Sequence, residues 1–127
     1  MKHLSISFIT MFVLIVIWSS FFSYSHQTLD SLSAAIDTRV LPAVESESWD
    51  ESAAELENSL NQWNDYRDKA LFILDNERIN QIDECFSRSS KYILAEDISN
   101  AAGELDALSD KLLLITENEQ LSLQNIL

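Results

Sequence analysis

Hydrophobic and polar positions fall into two regimes along this chain. From Leu4 to Tyr24 every residue is apolar, small or hydroxylic, without one Asp, Glu, Lys or Arg. As a helix rising about 1.5 Å per residue, this run is roughly 32 Å long, enough to cross a hydrocarbon core of about 30 Å. Beyond it, apolar residues recur at helical spacing. Leu29, Leu32, Ile36 and Val40 carry the first helix past the apolar run, to a break or kink that Pro42 predicts near Leu41. Residues 43–48 read as a connector. Ser48-Trp49-Asp50-Glu51 has the S-x-x-E form of a capping box and predicts a second helix from Ser48. Its stripe is Ala53, Leu56, Leu60, Trp63, Arg67, Ala70 and Leu74, with Arg67 at the edge, stem covered and head in water.

Asp75-Asn76 predicts a turn and N-cap. Ile79, Ile82, Phe86, Ser89 and Ile93 define a third helix, with a connection near Leu94 to Glu96. Ile98, Ala101, Leu105, Leu108, Leu112 and Ile115 give the cleanest stripe, and Leu113-Leu114-Ile115 spreads beyond it. Asp65 with Lys69, and Glu84 with Arg88, are favourable i,i+4 pairs. Each stripe needs a partner face, and short connections make successive helices antiparallel neighbours. The expected fold is all-α: an N-terminal transmembrane helix continuing into a small antiparallel bundle of about three to four helices. The expected organisation is a cytoplasmic N-terminus at 1–3, a transmembrane helix at 4–24, a juxtamembrane helix and connector at 25–47, and an acidic bundle at 48–127.

The apolar run also has to be weighed as a cleavable signal. Ser23-Tyr24-Ser25 offers small residues for cleavage before His26. The run is longer than a signal core, however, and Trp18, Phe21, Phe22 and Tyr24 gather at its downstream end as an interfacial aromatic belt does. An uncleaved anchor is therefore expected, in contact with lipid through residues 4–24. Lys2 and the α-amino group on one side, against Arg39 as the first basic residue on the other with Asp30 and Asp37 nearby, favour a single-pass cell-membrane protein with its N-terminus inside and its C-terminal domain outside.

Composition supports helices. The chain has one Gly (Gly103) and one Pro (Pro42), far too few for a fold rich in tight turns. Gly103 lies off the last stripe, where it costs helix propensity or admits a close neighbour. Net charge is −13, and all 21 acidic residues lie from Asp30 onward. Nucleic acid is not an expected partner, since phosphate binding needs a basic face. The lone cysteine, Cys85, cannot form an intrachain disulfide. Beside Ile82 and Phe86 it reads as a small buried hydrophobe.

Catalysis finds little material. His3 and His26 flank the apolar run and cannot share a site, and one Cys with two separated His disfavours zinc. No nucleophile elbow, zincin motif or phosphate-binding glycine loop occurs. Carboxylates are the abundant group, with Glu47, Glu51 and Glu55 along one helix face and pairs at Asp50-Glu51, Asp83-Glu84 and Glu96-Asp97. They read as solvated faces, with loose divalent-cation binding and a carboxylate-pair hydrolase as the sharper alternatives. No enzyme activity and no cofactor are expected.

Trp49 and Trp63 sit about four turns apart on one side of the second helix. Packing explains them, and any exposed members of Trp49, Trp63 and Tyr66, with the apolar tail residues Leu121, Leu123, Ile126 and Leu127, form the candidate partner surface.

The pattern resembles a family. An anchor, a helix with Trp49 and Trp63, Ile79-x-x-Ile82, Glu96-Asp97-Ile98 through Glu104-Leu105-x-x-Leu108, and the closing Leu121-Ser122-Leu123-Gln124-Asn125-Ile126-Leu127 are similar to a group of small single-pass membrane proteins of Gram-positive spore-forming bacteria, a domain of unknown function. The resemblance spans nearly the whole chain and implies a membrane location and a helical domain, with no active-site residues. The expected function is a membrane-anchored extracytoplasmic interaction module without catalytic activity, accessory to another integral membrane protein. The alternative is a sensor-like bundle that binds a divalent cation or small ligand on its acidic face. Assembly with further copies of itself is left open.

Overall fold

Leu32, Ile36, Val40 and Val44 follow one another every fourth residue, and this spacing shapes the first helix. Each such step overshoots a 3.6-residue turn by about 40°, so a plain α-helix would carry the stripe away from the core. The computed structural model, which describes residues 2–71 and 74–126 and their side chains through Thr116, shows the solution. Helix α1 (Lys2–Ala35) passes without interruption into a π-helical turn (Ile36–Val40) and then α2 (Leu41–Glu45). The wider turn, in which the Leu41 N–H donates to the Ile36 carbonyl, keeps all four residues fully buried.

Pro42 therefore does not break the helix. It directly follows the π turn, where the winding is already irregular and accommodates a missing N–H, and its fixed φ suits the helix. Thr38, whose Oγ1 donates to the Ala34 carbonyl at 2.6 Å, belongs to the same distorted stretch. The connector expected at 43–48 shrinks to Ser46–Ser48, and Ala43 and Val44 are core residues.

Helix α3 (Trp49–Ala70) begins at the predicted place by a different device. Glu47 takes φ 59°, its N–H donates to the Val44 carbonyl at 3.0 Å, and the Ser48 N–H donates to the Ala43 carbonyl at 2.8 Å. This is a Schellman closure of α2. It consumes the Ser48 N–H that the Glu51 side chain would need in a capping box, and Ser48 makes no side-chain cap. The same closure recurs after α4 (Asn76–Leu94). Glu96 takes φ 56°, with Glu96 N–H to the Ile93 carbonyl at 3.0 Å and Asp97 N–H to the Tyr92 carbonyl at 2.9 Å. Asp75 caps the start of α4 as expected, accepting from the Glu77 N–H at 3.2 Å. Helix α5 (Ile98–Ile126) follows, its first turn tied by Asp97 Oδ1 to the Asn100 N–H at 3.3 Å.

The described residues form an all-α bundle with no strand. α3 packs on α1 and the π turn, α4 lies between α3 and α5, and α5 closes against α1 and α2. One continuous core joins Leu29, Leu32, Ile36, Val40 and Val44 to Leu56, Trp63, Ile82, Phe86, Leu105, Leu108 and Leu112. Segment 25–45 is thus one of the bundle's own helices, and the domain boundary expected at 48 falls inside the bundle. The reason is that the buried stripe begins at Ser25 and Leu29 and runs on through α2. Residues 2–20 lie outside the bundle and are exposed.

Candidate functional site

The apolar segment is the most distinctive surface of the molecule. The large residues from Leu4 to Trp18 are between 47% and 68% exposed, although a helix that belonged to a soluble core would bury them. The helix is long and apolar enough to cross a membrane, and none of the qualifying apolar stretch is buried.

Where this segment meets the bundle, the sequence supplies aromatics and the structure joins them. Phe21 and Phe22 are half-buried. The Phe21 and Tyr24 rings lie 6.4 Å apart, and Tyr24 stands 6.4 Å from Tyr66 of α3. Tyr66 in turn is 5.8 Å from Trp63. The Tyr66 hydroxyl is hydrogen-bonded to Ser25 Oγ, and both side chains are fully buried. Lys69 Nζ lies 4.9 Å over the Tyr24 ring and donates to its hydroxyl at 3.3 Å. The i,i+4 pair expected between Lys69 and Asp65 is replaced by this contact, because Tyr24 offers both a π face and an acceptor.

The candidate partner residues separate on burial. Trp63 and Tyr66 have no exposed surface and are core residues, which corrects their place on a docking surface. Trp49 is half-buried against the core. Leu121, Leu123 and Ile126 lie on the helical backbone of α5 with side chains outside the described set, and Leu127 lies outside the described residues altogether. Leu113 and Leu114, which spread beyond the last stripe, are exposed, while Ile115 is buried.

Trp63 is buried with its polar atom paired. Its indole N–H donates to Asp83 Oδ1 at 2.8 Å, while Arg67 donates to Asp83 Oδ2 at 2.9 Å. Asp83, taken from the sequence as half of a solvated acidic pair, thus clamps α3 to α4, and Arg67 is held by it rather than pointing freely into water. An acidic position on the rim of an apolar stripe, paired with a Trp of the neighbouring helix, is the signal that identifies it. A second polar chain crosses from α1 to α5. Ser33 donates to Ser109 Oγ at 2.7 Å and Ser109 donates to Asp37 Oδ2 at 3.0 Å. Glu84 and Arg88 form their expected pair at 3.3 Å.

Two shallow grooves mark the bundle. One, of about 320 Å³, lies between α3 and α4 and is lined by Ala53, Leu56, Leu60, Phe86, Ile93 and Leu94 with Glu57 and Ser90. The other, of about 190 Å³, lies between α4 and α5, with Arg78, Gln81 and Lys111 around Ile82, Leu114 and Ile115. Neither lining contains two carboxylates, as hydrolysis by a carboxylate pair would require. Cys85 is fully buried, with Lys111 Nζ 3.3 Å from its sulfur. His26 faces Asp30 at 3.3 Å on its own helix. Among the described residues, no three His, Cys, Asp or Glu side chains gather as a metal set.

Neither the curated proteins nor the solved structures contain a match to this chain. A family model does match it, over residues 16–126, from the last turns of the apolar segment to the last residue of α5, and the chain belongs to that family, the domain of unknown function DUF4363.

Proposed function

We propose that this chain is a single-pass membrane protein whose bundle stands on the extracytoplasmic face as a non-catalytic interaction module, accessory to another protein of the same bilayer. The observation that carries the reading is the unbroken helix. Residues exposed and apolar at one end become core residues at the other, with no linker between. Removal of the segment before His26 would take away Phe21, Tyr24 and Ser25, all of which pack or bond into the bundle. Folding therefore favours an anchor that is retained. The family match, which begins at Val16 inside the apolar run, supports the same view.

Anchoring both partners in one bilayer raises their effective concentration, so a modest interface suffices. Leu113, Leu114 and Leu94 supply exposed apolar surface for it. Lys2, the one Lys or Arg before Asp30, supports an N-terminus on the inside.

The test is the mass and location of the mature chain. With a C-terminal tag, the intact species should sediment with membranes, resist alkaline carbonate, and lose its bundle to protease added to cells stripped of their wall. A species beginning at His26 in the medium, or a bundle protected from external protease, refutes the reading.

A further inference from the structure

We infer that the bundle is seated in the lipid headgroup layer through the C-terminal end of α3, so that Leu71 forms a second membrane contact beside the spanning helix. The inference rests on the membrane reading above and adds to it a fixed depth.

Three observations converge on it. The first is height. α3 runs antiparallel to α1, and their levels are pinned where Tyr66 meets Tyr24 and Ser25. At about 1.5 Å per residue, Leu71 stands roughly 7 Å past that contact. The same distance back along α1 reaches Ser19 and Ser20, next to Trp18. The second is length. The exposed stretch from Leu4 to Ser20 covers only about 26 Å as a helix, against a hydrocarbon core of about 30 Å. Matching the two draws the near end of the bundle towards the interface. The third is surface. Leu71 is 49% exposed at a helix end, where a polar residue would be expected in water. Two residues before it Lys69 lies over the Tyr24 ring, which stands 6.4 Å from the half-buried Phe21 ring, an aromatic and snorkelling pair of the kind found at a membrane interface.

The charges set the depth. Asp68, Asp75 and Glu77 are exposed near the same end, and each would be costly in hydrocarbon. The seat is therefore in the headgroups, and it suits a zwitterionic bilayer better than an anionic one.

The full chain in phosphatidylcholine vesicles tests this with an environment-sensitive fluorophore on single introduced cysteines. Native Cys85 is fully buried and stays unlabelled. Leu71→Cys reports the seat, Phe12→Cys the spanning segment, and Leu94→Cys, at a residue 79% exposed on the last turn of α4, the far end. Asp68→Cys, an exposed position one turn before Leu71, repeats the measurement without touching an apolar residue. The expected result is blue-shifted emission at 71, quenched by shallow spin-labelled lipid, with a weaker effect at 68, deep quenching at 12 and none at 94. Emission at 71 and 68 like that at 94, with 12 still quenched, overturns the seat and leaves the membrane span standing. Absence of quenching at 12 removes the span, and the seat with it.

Discussion

Asp83 is the side chain whose loss should be felt most for its size. Asp83→Ala leaves the Trp63 indole N–H, 2.8 Å from Oδ1 and wholly buried, without an acceptor. A buried donor left unsatisfied costs about 1–3 kcal/mol. The bond from Arg67 to Oδ2 is lost as well, but both partners are about one-third exposed, so the ion pair adds at most about 1 kcal/mol. The sum is about 1–4 kcal/mol, a fall in Tm of roughly 4–16 °C for a domain of this size. Asp83→Asn keeps an oxygen for the indole and should cost about 1 kcal/mol or less. Arg67→Ala, which removes only the ion pair, should match it. The assay is thermal unfolding of the full chain in detergent, followed by helical circular dichroism and by the near-ultraviolet signal of the tryptophans. Equal losses for Asp83→Ala and Arg67→Ala would show that the indole bond contributes nothing, and the argument would fail. Asp83→Asn as damaging as Asp83→Ala would show that charge, rather than the acceptor, is what Trp63 needs.

Glu47→Gly and Glu96→Gly should each stabilise the bundle by about 1 kcal/mol, since both replace a left-handed non-glycine residue at a Schellman closure; chemical denaturation measures it, and a loss of stability would refute the backbone argument. Gly103→Ala should add a further ~1 kcal/mol, because Gly103 is exposed inside α5 and nothing lies within 4 Å of the added Cβ; an unchanged midpoint would count against it. Tyr66→Phe, which removes the hydroxyl bonded to Ser25 Oγ, should cost about 1 kcal/mol and loosen α1 from α3, seen as faster amide exchange around Ser25. Cys85 should react with a thiol reagent only after the bundle is unfolded, and rapid labelling of the native chain would contradict its burial.

Much of the fold was legible because its cues are local and repeated. The third and fourth stripes are buried at Ile79, Ile82, Phe86 and Ile93 and at Ala101, Leu105, Leu108, Leu112 and Ile115, as read, while Ile98 at the start of the fourth is exposed. The cap at Asp75 was visible for the same reason. Pro42 misled because a proline rule is local, whereas the winding around it answers to a stripe that extends from Leu32 to Val44. The capping box at Ser48 failed by competition: the preceding helix had already claimed the amide. The second stripe was read too far to one side of its helix. Ala53 is exposed, while Ser52 and Ser59 are buried, since small hydroxyl residues let neighbouring helices approach and do not register as hydrophobic, and Tyr66 is buried beside them with its hydroxyl bonded to Ser25. The join between apolar segment and bundle showed its aromatics in sequence, but their partners on α3 lie some 40 residues away, as the 41-residue separation of Ser25 and Tyr66 shows. No spacing rule reaches that far.

The π turn at Ile36–Val40 has a mechanical meaning. A stem that is also one wall of the domain has no joint on which the domain can swing, so its tilt and rotation pass to the bundle directly. The over-wide turn is the one place along that stem where winding already departs from the regular value. Torque on the lower half would concentrate there, between Leu32 and Val44, and would reach the far wall through the Ser33, Ser109 and Asp37 chain that spans the two helices at the same height.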